Sequence, residues 1–304
     1  MIEPVEQYLR LGLVHFMAFP QVMRDETALL PTVEQIAHIP DFRCIEIKLV
    51  ENERLLEPLK RLLESSMLDL GLAAQPSILA GGFDPGSEDK AARERVLDLL
   101  QRHVDQAIEL GAESVAMLSG PDPGDKKRSG SLQRTADLIA ELCAYSQSRN
   151  GPKIILEVFD RKIDKKALVG PAETALHLCE LVYARGADNF GVCVDLSHLP
   201  LLGETPEQAI FPVQDYLASA HLGNAVLLEG HPLYGDQHPG FGNPAGANRV
   251  DQTRDFINTL KNTGFLNRKR PPMVSFEVKP SDGEKSETVI AAALRVFRRA
   301  WAKA

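Results

Sequence analysis

Short apolar runs rich in β-branched residues recur along the chain at 11–17, 44–49, 71–74, 114–118, 153–159, 190–196, 217–222 and 273–278. Several, such as KIILEVF and FGVCVDL, are nearly continuous in hydrophobicity instead of alternating, the pattern of parallel strands covered by helices. The intervening segments carry helical period. Over 87–110, Val96, Leu97, Leu100, Val104, Ala107 and Ile108 share one broad face, with Ser87 placed to cap the start and Gly111 following the end. Over 131–149, Leu138, Ile139, Leu142 and Tyr145 form a similar stripe that Gly151-Pro152 stops. A further helix begins near Val250 and is closed by Asn262-Thr263-Gly264. Eight strand–helix units over 304 residues average about 38 residues each, the arithmetic of a (β/α)8 barrel. The expectation is an α/β fold with a single barrel domain over 1–304. The competing layout, an open doubly wound sheet, lacks a glycine-rich phosphate turn after the first strand, and no nucleotide cofactor is expected.

Composition changes this picture mainly by exclusion. Lys+Arg 34 against Asp+Glu 42 leave a formal charge of −8 with no dominant basic cluster, so no nucleic-acid partner is expected. No apolar run approaches the roughly 18 residues needed to span a bilayer. Glu3 and Glu6 stand where a secretory leader would be basic, and no membrane partner is expected. Cys44, Cys143, Cys179 and Cys193 lie far apart without a CxxC pair, which argues against a disulfide framework or a structural zinc site. The reading is a soluble, cytoplasmic chain, for which a homo-oligomer remains an allowed assembly.

The informative polar residues sit at strand ends. Four late strands each deliver a metal-competent group: Glu157 in IILEVFD, Asp195 with His198 in VCVDLSHLP, His221 in SAHLGN and Glu277 in VSFEVKP. Any one of them alone reads as a salt-bridge partner, a cap or a satisfied core histidine. Together, on successive strands whose ends a barrel aims at one axis, they read as a site. Two or three carboxylates plus one imidazole favour a hard or borderline divalent ion such as Mn, Mg, Co or Zn. The Pro/Gly-rich stretches 81–86, 120–130 and 230–246 each follow a strand, on the face where long βα loops carry substrate contacts.

The order strand-Glu, Asp-x-x-His, strand-His-Leu-x-Asn, a loop Asp-x-His-Pro-Gly-x-Gly and a final strand-Glu resembles the xylose-isomerase-like TIM barrel superfamily, from about Leu11 to the C-terminal helix. That group includes sugar isomerases and epimerases and the endonuclease IV-type repair nucleases. The resemblance implies one divalent metal on Glu157, Asp195, His221 and Glu277, with Glu157 and Glu277 as catalytic acid and base. It implies substrate contacts from His198, and Gly240 and Gly242 match the turn that shapes the seventh loop. The implied activity is isomerisation or epimerisation of a small sugar or keto-polyol through an enediolate.

Departures from the family pattern narrow the reading. Where the nuclease branch adds histidines, this chain has Gln75-Pro76 and Ser119-Gly120-Pro121, so a three-zinc cluster is not expected. Where many epimerases carry an arginine before the Pro-Gly turn, it has Asp236-Gln237-His238, which leaves His198, Asp236 and His238 as a substrate clamp or a second metal site. Lys279 is expected to reach a substrate oxygen or to pair with Asp282. His15 and Glu46 divide evenly between core and substrate wall, and the runs 126–128 and 161–166 read as solvated loops. The alternatives are a lyase or C-glycoside-deglycosylating subunit, DNA repair at abasic sites and a non-catalytic carbohydrate-binding barrel.

Overall fold

The computed structural model describes residues 3–304. These form eight parallel strands, β1 (Arg10–Val14), β2 (Cys44–Lys48), β3 (Asp69–Ala73), β4 (Ser114–Met117), β5 (Lys153–Val158), β6 (Phe190–Asp195), β7 (Leu217–Gly223) and β8 (Met273–Glu277). Each pairs with its neighbour in sequence and β8 returns to β1, closing a barrel. The anticipated strands are all present.

Alternate strand residues divide the molecule into two environments. Leu11, Leu13, Ile45, Ile47, Leu70, Leu72, Val115, Leu156, Val192 and Phe276 join one continuous core with the surrounding helices. The positions between them are small or polar, and Ala116, Ile155 and Cys193 form a separate minor cluster. Gly12 shows how tight this second environment is low in the barrel. A Cβ there would lie 2.5 Å from Cys44 Sγ and 2.6 Å from Ser275 Oγ. Near the C-terminal ends of the strands the same inward positions become Glu46, Glu157, Asp195, His221 and Glu277.

Several boundaries differ from expectation, for local reasons. The apolar run 11–17 does not continue as a strand. After Val14 the chain turns into a short helix, His15–Ala18, which Phe19 N closes onto His15 O at 2.8 Å. Hydrophobicity marks burial there but not backbone direction. The helix expected from Ser87 is Lys90–Leu110. Its cap is Asp89, whose carboxylate accepts from Ala91 N at 3.0 Å, while Gly111 at φ 74 ends it as anticipated. The helix expected from Ser131 begins at Asp125, so Lys126, Lys127 and Arg128 lie in its first turns instead of a loop. Arg128 is fixed there by Asp122 at 2.6 Å and Asp125 at 2.5 Å.

The Pro/Gly-rich segment 230–246 is tied down by bonds within the chain. Val226 bridges both Tyr234 and Gly246. Asn224 Oδ1 accepts from Asn248 N at 2.8 Å, and the Asn248 amide donates to Leu196 O and Gly223 O. Lys279 N donates to His238 O at 2.7 Å, stitching the loop to the end of β8.

His15, one of the undecided residues, is structural. It is fully buried, its Nε2 lies 2.8 Å from Thr32 Oγ1, and its ring packs on Phe19 at 5.6 Å. Burial, helped by the charge of Lys48, pushes its pKa down from 6.5 to about 3. Below about pH 6.5 the unfolded chain takes up a proton at this position that the folded chain refuses, so stability falls as pH drops from 6.5 towards 3. His15→Gln should therefore flatten the pH dependence of unfolding free energy between pH 6 and 4 by up to one proton, about 1.4 kcal/mol per pH unit. Urea titrations across that range would check this, and an unchanged slope would contradict it.

Candidate metal centre

The strand ends of β5 to β8 bring Glu157, Asp195, His221 and Glu277 together, all buried, with one donor atom from each inside a cluster no wider than 4.8 Å. Register explains the convergence. Asp195 and His221 are direct partners across β6 and β7, and Glu277 lies opposite Gly223 across β7 and β8. A Cβ at Gly223 would come within 3.0 Å of Asp195 Oδ1 and His238 Nδ1, so the glycine leaves the space those side chains need.

His221 sits at the centre. Its Nδ1 is 2.9 Å from Glu277 Oε2, 3.5 Å from Glu157 Oε1 and 4.0 Å from Asp195 Oδ2. Its other nitrogen, Nε2, lies 3.1 Å from Glu46 Oε1 on β2. An imidazole held through one nitrogen by a carboxylate presents the other in a fixed direction, the usual arrangement behind a metal-ligating histidine. Sequence reading had left Glu46 undecided, although a carboxylate inside the apolar strand CIEIK was the signal. Gln75, noted only as a departure from the nuclease pattern, donates from Nε2 to Glu157 Oε2 at 2.8 Å. Ser197 N does the same for Asp195 Oδ1 at 2.6 Å. Each acid thus has one oxygen anchored and one free. Glu157 Oε1, Asp195 Oδ2 and His221 Nδ1 are buried with no aligned hydrogen bond. Buried polar atoms are rarely left so, and a converging set of O, O and N donors fits a divalent cation.

Beside this group stands a second one. Asp236 Oδ1 lies 2.8 Å from His238 Nε2 and 3.2 Å from His198 Nε2. His198 Nδ1 is tied to Val158 O at 2.7 Å and its ring packs on Phe159 at 4.5 Å. His238 takes a left-handed backbone, φ 50, which is uncommon for a non-glycine residue and is found at sites where surrounding structure overrides the preference. Lys165, from the charged run after β5, places Nζ 2.8 Å from Asp236 Oδ2.

Electrostatics follow from burial and partnership. Burial alone would strip His221 of its proton, but Cys193, Glu46 and Glu157 hold its pKa well above the ordinary range. His238 is likewise raised, to about 9, by Asp236 and Glu277 against its burial. Asp236 is held well below the usual carboxylate range by His238 and His198 despite burial. Burial would raise both glutamates. For Glu157 the close approach and charge of His221, with the charge of His198, reverse this and lower it; for Glu277 burial prevails, assisted by the charge of Glu157, and it is raised.

A cavity of about 420 Å³ opens over the cluster. Glu46, Gln75, Glu157, Lys165, His221, Asp236, His238, Glu277 and Lys279 form its polar side, and Phe16, Met17, Pro20, Met23, Pro76 and Leu79 its apolar side. Of the four expected substrate contacts, Asp236, His238 and Lys279 line the cavity, whereas His198 lies behind them, supporting Asp236. Lys279 makes no ion pair with Asp282 among the described residues. Lys165 was missed because a charged run gives no sign of which of its members turns inward.

Solved structures of similar fold include an L-ribulose 3-epimerase (18% identity, TM-score 0.69, covering 97% of this chain and 93% of that one). A D-psicose 3-epimerase determined in the presence of D-fructose aligns at 16% identity and TM-score 0.68, covering 97% and 98%. The IOLI protein with a bound zinc atom aligns at 16% identity and TM-score 0.72, covering 97% and 99%. Comparison by sequence with curated proteins finds no match. The family model described as xylose isomerase-like TIM barrel matches residues 33–300, nearly the whole chain, and the protein belongs to that family.

Proposed function

We propose that this chain, acting as one domain over 1–304, is a divalent-metal-dependent isomerase or epimerase of a small sugar or keto-polyol. The observation that carries the reading is that Glu157 Oε1, Asp195 Oδ2 and His221 Nδ1, all buried and none in an aligned hydrogen bond, converge with Glu277 beside the cavity. The fold shared with sugar 3-epimerases supports it. Glu157, Asp195, His221 and Glu277 would hold the ion, with Mn, Mg, Co and Zn all compatible with such donors. When bound, a divalent ion supplies Lewis-acid stabilisation of negative charge developing on substrate oxygens.

The chain's own residues do the proton work. Glu157, kept as a carboxylate by His221 and His198, takes the proton from the carbon beside the substrate carbonyl. The C–H electron pair becomes the enediolate double bond as the carbonyl pair moves onto oxygen. Glu277, whose pKa burial raises, returns a proton to the opposite face of that carbon for epimerisation, or to the former carbonyl carbon for isomerisation, in which case the hydroxyl proton of the first carbon passes to the former carbonyl oxygen. The reverse reaction exchanges the two roles. Asp236, His238 and Lys279 on the cavity wall would hydrogen-bond substrate hydroxyls. The four buried free thiols, Cys44, Cys143, Cys179 and Cys193, suit a reducing compartment such as the cytoplasm. No helix among the described residues is long and apolar enough to cross a membrane.

The apolar side of the cavity favours one second reading. Met23 and Leu79, which line it, are 46% and 49% exposed, apolar surface that sugar hydroxyls do not match. A substrate with an aryl or alkyl substituent would cover them, and α-proton removal followed by loss of that substituent is a lyase reaction. Product analysis on a keto-glycoside separates the two: elimination releases the substituent, epimerisation retains it. Abasic-site nuclease activity is disfavoured, because Gln75-Pro76 and Ser119-Gly120-Pro121 stand where the resemblance to the nuclease branch calls for histidines, and the chain carries a formal charge of −8.

Variants of the site residues and removal of metal test the main reading. Glu157→Gln and Glu277→Gln, each at saturating metal, should lower turnover by about 100- to 10,000-fold. With D-fructose, D-psicose and L-ribulose as trial substrates in deuterated water, one variant should still exchange the α-hydrogen of one epimer while failing to interconvert the pair. Wild-type exchange and epimerisation by both variants would remove these carboxylates as the bases. Asp195→Asn should weaken metal binding yet recover more activity than either glutamate variant when metal is in excess. Glu46→Gln, which loosens the anchor on His221 without touching the ion, should weaken metal affinity by roughly 10- to 100-fold. Full turnover by metal-stripped wild-type protein would overturn the proposal.

A further inference from the structure

The strongest unexplained arrangement is the pocket beside the four-ligand group. Asp195, His198 and His238 bring donor atoms within 4.8 Å of one another, all buried, and Asp195 is shared with the first group. Asp195 Oδ2 and His238 Nδ1 lack hydrogen-bond partners, and His198 Nε2 faces Asp236 Oδ1 at 3.2 Å. By donor chemistry alone this pocket should take a divalent ion as readily as its neighbour.

One feature separates the two. Among the described residues, no lysine or arginine comes within 4.0 Å of the carboxylates of Glu46, Glu157, Asp195 or Glu277, whose only charged partners at that range are histidines. Asp236, in contrast, holds the ammonium of Lys165 at 2.8 Å on Oδ2 and again at 3.3 Å through its backbone carbonyl. Lys165 is built into that position. Asp160, fully buried at the end of β5, accepts from the backbone N–H groups of Ile163, Asp164 and Lys165 at 2.7, 2.9 and 2.8 Å. Asp164 Oδ2 then accepts from Asp236 N at 2.8 Å and from Gln237 Nε2 at 2.9 Å. The charged run after β5 is therefore clasped to the loop that carries Asp236, and Lys165 Nζ lies between that carboxylate at 2.8 Å and Asp164 Oδ1 at 3.7 Å.

We propose that Lys165 is an internal cation standing in for a second metal ion, and that it fixes the metal content of this barrel at one ion per chain. A dication entering the Asp195–His198–His238 pocket would face the ammonium held on Asp236, the aspartate whose Oδ1 touches His238 at 2.8 Å and His198 at 3.2 Å. The pocket's three donors and Asp236 are buried, so that repulsion is screened less than at the surface. The consequence is chemical: a second ion beside the first would favour two-metal hydrolysis of phosphoesters, and a fixed ammonium keeps the centre to one-ion proton-transfer chemistry. The inference rests on the four-ligand group binding metal, as proposed above.

The test counts ions instead of turnover. Wild-type protein is loaded with excess MnCl2 or ZnCl2, desalted and measured by elemental analysis, with circular dichroism to verify folding. Wild type should retain one ion per chain and Lys165→Met two, a twofold gain. Lys165→Arg should stay at one, and Lys165→Met combined with His238→Ala should return to one, which locates the added ion. Should Met at 165 disturb the loop, Lys165→Gln, which is one atom shorter but keeps a polar, uncharged end, should also gain an ion. Two ions in wild type, or one ion in folded Met and Gln variants, overturns the role of Lys165. No ion in wild type overturns the metal reading of the first group, and this inference with it.

Discussion

Carboxylates taken out of water around a single imidazole are the constraint on which the rest of this molecule depends. Glu46, Glu157, Asp195 and Glu277 are all buried and all point at His221. An isolated charge in such surroundings costs several kcal/mol, and groups so placed persist only when paired or coordinated. Every neighbouring feature answers that requirement. Gln75 and Ser197 each satisfy one acidic oxygen, Glu46 holds the far nitrogen of His221, and the remaining free atoms face each other across a gap suited to a cation.

The barrel meets this constraint by separating its two demands along each strand. Outward residues are large and aliphatic and supply the stability of the helix-covered core. Inward residues carry almost none of that burden, so they can be small near the base and charged near the mouth. Gly12 and Gly223 mark the two regimes. The first lets β1, β2 and β8 close tightly beneath the site, and the second yields room for Asp195 and His238 within it. A βα loop extends the same logic. Bonds from Asn224 and Asn248 fix the segment after β7 so firmly that His238 can be kept in a left-handed backbone conformation next to the acids.

Charge pattern also sets the division of labour between adjacent pockets. Both contain carboxylate and imidazole donors at metal-binding separation, and they share Asp195. Only one of them has a lysine delivered by a loop whose every anchor is internal. The pair of glutamates in the other pocket is split by environment, Glu157 towards the carboxylate and Glu277 towards the acid. Such a split is what a proton taken from one face and returned to the other requires.

The sequence by itself determined the eight strands, the closed parallel architecture and the four metal-competent strand ends, because each is written in local hydrophobic period or in a charged residue breaking an apolar run. It also carried the family's ordered motif from Glu157 to Glu277. It did not determine where β1 stops, since residues 15–17 are as apolar as the strand before them and only their backbone turns. Nor did it decide between core and site for His15 and Glu46, which differ by strand register and by a partner at Thr32 or His221, contacts 17 and 175 residues away. Tertiary structure alone placed Gln75 on Glu157, moved His198 behind Asp236 and turned Lys165 inward. The physical reason is the same in each case: these side chains answer charges on strands far off in sequence, and a local pattern holds no record of what lies across the barrel.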